Sequence, residues 1–264
     1  MLDFTSMEDA LLGFQNVTTR LPAIGKTMSA LTGLLVFFTT TAYGQVILDD
    51  FSANNASNYD FVPVFNDPLN GWTVTAGELR PGIDGNASAT WLWNQGAKLS
   101  AAGDSVSISL SLPAGVYNTL PTSIGLFLAA DAASVGSGHE ISQTTFGGVW
   151  GYSVDGSAQQ AGSSPSSAVQ LTIQRTAQQT TDGFLYTTTF SGGGLPSPLT
   201  DFFYDSSASL LFGPFAANTT GTPAALDNFT FTAVPEPSMY AAVFGFLALT
   251  TAVLRTRSSR RLAA

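Results

Sequence analysis

Residues Ser105–Leu112 read SVSISLSL, with Val106, Ile108, Leu110 and Leu112 alternating with serines. Successive side chains of a strand point to opposite faces, so this period of two describes a β-strand with one apolar and one wet face. The rhythm returns in AVQLTIQRT, with Val169, Leu171 and Ile173 inward, in GFLYTTTF, with Phe184, Tyr186 and Phe190, and in LDNFTFTAV, with Phe229 and Phe231. Shorter candidates are VILDDF, GWTV, ELRP, ATWLWN, SIGLFLAA, GVWGYSV and SLLFGPF, separated by stretches rich in Gly, Asn, Pro and Ser. No amphipathic helix of ordinary length interrupts them. About eleven or twelve antiparallel strands in one domain predict an all-β antiparallel sandwich of jelly-roll type.

Composition agrees. The chain has 264 residues, 44% of them hydrophobic, with 26 Gly and 13 Pro, as suits a β domain joined by turns. It has no Cys, which excludes a disulfide framework, a thiolate metal site and a cysteine nucleophile together. Stability must then come from the core, and about 190 residues between the two ends suffice for one. Between Gln45 and Val234 the only basic residues are Arg80, Lys98 and Arg175, against fourteen acidic ones. Such a body repels nucleic acid phosphates and fits an exported, solvated protein.

Both ends read as targeting segments. Lys26 precedes MSALTGLLVFF, an apolar run too short to span a bilayer, and TTTAYGQ then offers the small residues Ala42 and Gly44. That order marks residues 1–44 as a secretory signal peptide cleaved between Gly44 and Gln45. The acidic stretch ahead of Lys26 is long for an n-region and points to a start downstream, at Met7 or at Met28, the latter without Lys26. The body is expected over 45–233 and the tail over 234–264. Met239 to Leu254 carries no charge, and as a helix it spans about 24 Å, enough to lodge in a membrane with thinning and snorkelling. Arg255, Arg257, Arg260 and Arg261, in the basic tail 255–264, stop transfer on the inner side and leave the acidic body outside. Pro235 and Pro237 prevent that helix from extending backward, so the triplet stays extended at the membrane surface.

The sequence Val234, Pro235, Glu236, Pro237, Ser238, followed by an apolar span and an arginine cluster, resembles the PEP-CTERM sorting signal of Gram-negative bacteria. The resemblance implies export by the general secretion machinery and a transient inner-membrane anchor with the body in the periplasm. A membrane-embedded exosortase then removes the tail, and the protein ends at the cell surface or in an exopolysaccharide matrix. An ordinary uncut anchor explains the helix and the arginines but not the triplet; GPI signals show the same logic of a discarded hydrophobic tail.

The body resembles the concanavalin A-like, laminin-G-like jelly rolls through VILDDF, GDSVSISLSL, SIGLFLAAD, VQLTIQRT and LLFGPFAANTTGTPAALDNFTFTA. That resemblance implies neighbouring first and last strands and a family of glycan binders, glycosidases and adhesive or structural modules. The E-x-D-x-x-E strand of its laminarinase-like glycosidases is absent: after Glu140 the chain reads HEISQTTF, with Ser142 where the aspartate belongs. His139 is the sole histidine, no G-x-S-x-G elbow accompanies it, and its GSGHEIS setting reads as an exposed loop. A catalytic role is therefore not expected.

Glycan binding asks for aromatic rings on an accessible face, because sugar CH faces stack on them. Trp91 and Trp93 share one face of TWLWN, as Trp150 and Tyr152 share one face of VWGYS. Either these rings form a platform, with Leu92 turned to the core, or they are themselves core; Trp72 reads as core. Asp49, Asp50 and Asp227, which the resemblance brings to adjacent strands, are either solvated carboxylates or a candidate calcium site, and no other cofactor is expected. The sequence thus describes a non-enzymatic surface or matrix protein, glycan-binding or structural, with exopolysaccharide as the expected partner. The alternatives are a carbohydrate-active hydrolase with a non-standard site and a self-associating adhesin.

Overall fold

The computed structural model describes residues 45–66, 71–83, 86–113, 121–146, 149–162, 165–219, 221–234, 245–246 and 250–251. Residues 1–44, the Pro235–Ser238 part of the sorting motif and the four terminal arginines lie outside these. Of the expected helix over 239–254, residues 245–246 and 250–251 are described, and they are helical. Among the described residues no helix is long and apolar enough to cross a membrane.

Fifteen strands build the described body. In chain order they are β1 (Gln45–Asp49), β2 (Tyr59–Phe65), β3 (Trp72–Thr75), β4 (Glu78–Pro81), β5 (Ser88–Trp93), β6 (Ser105–Ser111) and β7 (Thr122–Ala129). Then follow β8 (His139–Phe146), β9 (Val149–Val154), β10 (Ser157–Gly162), β11 (Val169–Thr180), β12 (Gly183–Gly192), β13 (Leu199–Asp205), β14 (Leu211–Ala217) and β15 (Ala225–Thr232). They form two antiparallel sheets: an eight-stranded one in the order β13-β12-β11-β6-β15-β4-β3, with β1 also on β15, and a seven-stranded one in the order β10-β9-β8-β7-β14-β5-β2. This is the all-β antiparallel sandwich the alternation implies.

The opening stretch lies near the middle of the larger sheet. In β6, Val106, Ile108 and Leu110 are fully buried while the serines stay half-exposed. Register continues the apolar face sideways: Ile108 stands opposite Leu171, and Val106 opposite both Ile173 and Phe231. Lateral continuity of this kind turns separate alternating strands into one core.

The smaller sheet departs from simple alternation. Strands β5 and β7 are buried at every position. Their inner face meets the main core, while Leu92, Phe127, Ala129 and Phe215 form a second apolar cluster on the outer face, capped by Val135. Val135 arrives on a 3-10 turn, Ala132–Ser137, whose start is fixed by Asp131: its carboxylate accepts the amides of Ala133 (3.0 Å) and Ser134 (2.8 Å), and the Ser134 hydroxyl accepts from the Asp131 amide. Two glycines permit close strand contact here: a β-carbon at Gly125 would meet the Ile141 carbonyl oxygen at 2.0 Å, and one at Gly213 the Trp91 carbonyl oxygen at 2.0 Å.

The sequence count of strands falls short by four: β2, β8, β10 and β13. Three of these lie at sheet edges. An edge strand buries one side at most and tolerates Pro63 in YDFVPVF and the two aspartates in LTDFFYD. SAQQAG and HEISQTTF are polar in sequence, β8 even though Ser142, Gln143 and Thr145 are buried, so neither shows the alternation that reveals β6.

Candidate functional site

The expected tryptophan platform does not form. Trp91 and Trp93 are 2% and 6% exposed, and they stand in register with Phe61 and Tyr59 on the inner face of the smaller sheet. Trp91 stacks on Trp72 of the opposite sheet at 5.0 Å and 4°. Tyr59 meets Trp72 and Trp93 edge-on at 4.9 and 5.2 Å. Trp150 is fully buried and Tyr152 packs on Phe190 at 5.4 Å. Leu92 does turn away from these rings, but into the second cluster rather than the core; both faces of β5 are covered, so the rings are core. Trp72 is partly buried against it, close to its expected role.

The calcium expectation is corrected as well. β1 does lie beside β15, with Asp49 opposite Phe229. The Asp49 carboxylate, however, is buried and accepts the Phe51 amide at 2.8 Å and the Tyr59 hydroxyl at 3.0 Å. Burial, reinforced by that carboxylate, pushes the Tyr59 phenol well up. Asp50 is exposed and accepts the Ser52 amide, which lowers its pKa. Asp227 accepts from Asn228; desolvation, with added repulsion from Glu78 and Asp50, raises it. Among the described residues no three His, Asp or Glu side chains converge as a metal-holding group.

His139, expected in an exposed loop, instead begins β8 and is mostly covered. Its Nδ1 lies 2.8 Å from Asp155 Oδ2, and its Nε2 lies 2.9 Å from Asp205 Oδ2. Asp155 comes from the β9–β10 turn of the smaller sheet and Asp205 from the end of β13 in the larger, so the imidazole bridges the two. Phe203 packs beside the ring at 4.3 Å, and Tyr186 stacks on Phe203 at 5.0 Å. Burial alone would lower the His139 pKa, but hydrogen bonds and charge from both aspartates outweigh it and raise the value. Desolvation raises Asp205, yet the Ser207 hydrogen bonds and His139 prevail and hold it low. Glu140 next door is raised, first by burial; the Ser142 hydroxyl donating to it at 2.9 Å opposes that, and Asp155 adds to it. With a carboxylate on each ring nitrogen, the histidine serves as a charged clasp, and neither nitrogen is free to take a substrate proton. A single His in GSGHEIS gave no sequence sign of these partners, which are 16 and 66 positions away.

The outer face of the larger sheet carries the remaining surface of interest. Register lines up Thr230, Ser107, Thr172, Thr189 and Thr200 in one row, and Thr232, Ser105, Gln174, Thr187 and Phe202 in the next. Ser107 and Thr230 hydroxyls pair at 2.7 Å, and Ser109 donates to Gln170 at 3.1 Å. Phe202 is 58% exposed at the β13 edge beside Tyr204, and Ile47 is 63% exposed at the other end of the first row. From β6 to β13 alternation turns the charged residues of these strands, Arg175, Asp201 and Asp205, to the opposite face.

No known family model matches the chain, and no curated protein matches it in sequence. Solved structures similar to it include the lectin from Bauhinia forficata in complex with GalNAc, 8% identical, covering 72% of this chain and 97% of that one at a TM-score of 0.44. Basic winged bean lectin with Tn-antigen is 10% identical over 74% of this chain and 100% of its own, at 0.45. A candidate β-glucanase from Mycobacterium abscessus is 11% identical over 72% and 99%, at 0.42.

Proposed function

We propose that this chain is an exported, non-catalytic surface or exopolysaccharide-matrix protein that holds an uncharged glycan against the outer face of its larger sheet. One observation carries the reading: on a body with fourteen acidic residues against three basic ones, four adjacent strands present rows of hydroxyl and amide groups free of charge. Sugar hydroxyls pair with such groups, and Phe202 and Tyr204 supply ring surface at one edge for CH faces. Strands lie about 4.8 Å apart, close to the length of one pyranose unit, so a chain lying across them meets a new row member with each sugar. In this reading the general secretion machinery exports the chain, the tail anchors it in the inner membrane, and an exosortase cuts at the Pro235–Pro237 triplet. The body is a concanavalin A-like jelly roll used for retention.

Full-length protein is mixed with insoluble neutral polysaccharides and with an acidic one. Retention on a neutral polymer, lost when Thr172, Thr189 and Phe202 are replaced together, is expected. Equal retention of the triple variant sinks the choice of face, and release of reducing sugar would favour the hydrolase. Mass spectrometry of the mature protein from its host tests the sorting half: an intact Leu262–Ala264 end refutes it.

A further inference from the structure

Asp104 is 2% exposed and ends the loop that leads into β6. Its Oδ2 accepts the amides of Ser100 at 2.9 Å and Ala101 at 2.7 Å, folding that loop onto itself. Its other oxygen, Oδ1, accepts the Val234 amide at 2.9 Å, beyond the end of the last strand. Backbone bonds fix the loop to β11: the Arg175 amide donates to the Asp104 carbonyl (3.0 Å) and the Gly103 amide to the Arg175 carbonyl (2.7 Å). Val234 lies against Gly103, where a β-carbon would come within 2.6 Å of its Cγ2. On the neighbouring ladder Gln45 stands opposite Thr232, and Thr232 opposite Ser105.

We infer that Asp104 is a latch that pins Val234, and with it the C-terminal end of the sandwich, to the loop ahead of β6. A chain leaving its last strand ordinarily frays. Here a buried carboxylate holds one backbone N–H through a charge-assisted bond, and a glycine makes room for the side chain. The inference rests on the proposed processing only for its biological purpose. A peptidase that binds its substrate as an extended strand over several residues then has two options at the triplet. It can dock directly on this end of the sandwich, beside the residue that would become the N-terminus after signal cleavage, or it can act on the fraction of molecules in which Val234 has unlatched.

Hydrogen exchange on the full chain reads the latch directly: the Val234 amide should exchange at least about tenfold more slowly than an unstructured amide. Val234→Pro removes the donated N–H while leaving the Ser100 and Ala101 bonds of Asp104 in place. In that variant a broad-specificity protease should nick the tail about tenfold faster at a temperature where the body stays folded, and the melting temperature should fall by a few degrees because Asp104 Oδ1 loses its partner. Exchange of Val234 at the unstructured rate overturns the latch, as does equal nicking of the two folded chains; slow exchange supports it even should the proline variant fail to fold. An uncut C-terminus in the host would remove the sorting reading and leave this result standing.

Discussion

Along one side of the sandwich, where β2 and β3 are the outermost strands, the two sheets meet through aromatic rings. Along the other, where β9 and β13 face each other, they meet through His139 held between Asp155 and Asp205. The Trp72–Trp91 stack and the edge-on Tyr59 exclude water and depend on shape. Buried polar atoms with no hydrogen-bond partner among the described residues occur on both sides, Trp93 Nε1 among the aromatic rings and the Tyr186 hydroxyl next to Phe203 by the clasp, and burial raises the Tyr186 phenol to about 12. The Trp72–Trp91 stack itself carries no titratable group, whereas the clasp is built from three and is conditional on pH.

The largest effect should come from breaking the apolar side. Trp91→Ala deletes a ring packed on Trp72, Phe61 and the main core, and should cost about 3–5 kcal/mol in urea unfolding. A loss under about 1 kcal/mol would mean that the stack is not what closes this side. Next comes the clasp, where Asp205→Ala removes one of two carboxylates from a largely covered histidine, at about 1–3 kcal/mol. Because the His139 pKa is raised in the folded state, its contribution is complete below the unfolded value of about 6.5 and disappears as pH rises through the folded value. Asp205, held low, contributes above about pH 3.9 and is lost as pH falls through its own folded value. The deficit of the variant should thus be greatest near pH 5–6 and shrink by pH 9, whereas Trp91→Ala should show a constant deficit. A pH-independent deficit for Asp205→Ala would contradict the charged clasp.

The contrast between the sides also explains what could be read in advance. Val106, Ile108 and Leu110 reveal their strand because one face of β6 is dry and the other wet. TWLWN misleads because alternation says which residues share a face and nothing of whether both faces are covered. Only the capped turn Ala132–Ser137, remote in sequence, makes Leu92 a second interior. His139 illustrates the same limit for sites: a clasp assembled from a strand start, a turn and a strand end on two sheets has no spacing to recognise. The row of hydroxyls was visible as serines and threonines on the wet faces, but their alignment across strands depends on register, which single strands do not encode.

The two faces of β5 can be separated by a smaller change. Val135→Ala trims the outer cluster and should cost about 1–2 kcal/mol. Combined with Trp91→Ala, which acts on the other face of the same sheet, the losses should add to within about 0.5 kcal/mol. A coupling above about 1 kcal/mol would show that the sheet transmits strain between the faces.

Smallest of all should be the stability effect on the outer face of the larger sheet, and there a near-zero result is informative. Valine matches threonine in shape and β-branching, so Thr172→Val with Thr189→Val removes two half-exposed hydroxyls and should shift stability by no more than about 0.5 kcal/mol. A merely solvated face would lose nothing else. If the aligned hydroxyls bond a glycan, each lost contact should weaken retention by about two- to tenfold, and the pair should do so without altering the pH profile set by the clasp, whose residues lie on β8, the β9–β10 turn and β13. Unchanged retention at unchanged stability would leave the rows as solvated surface only and return the search for a ligand to the sandwich ends.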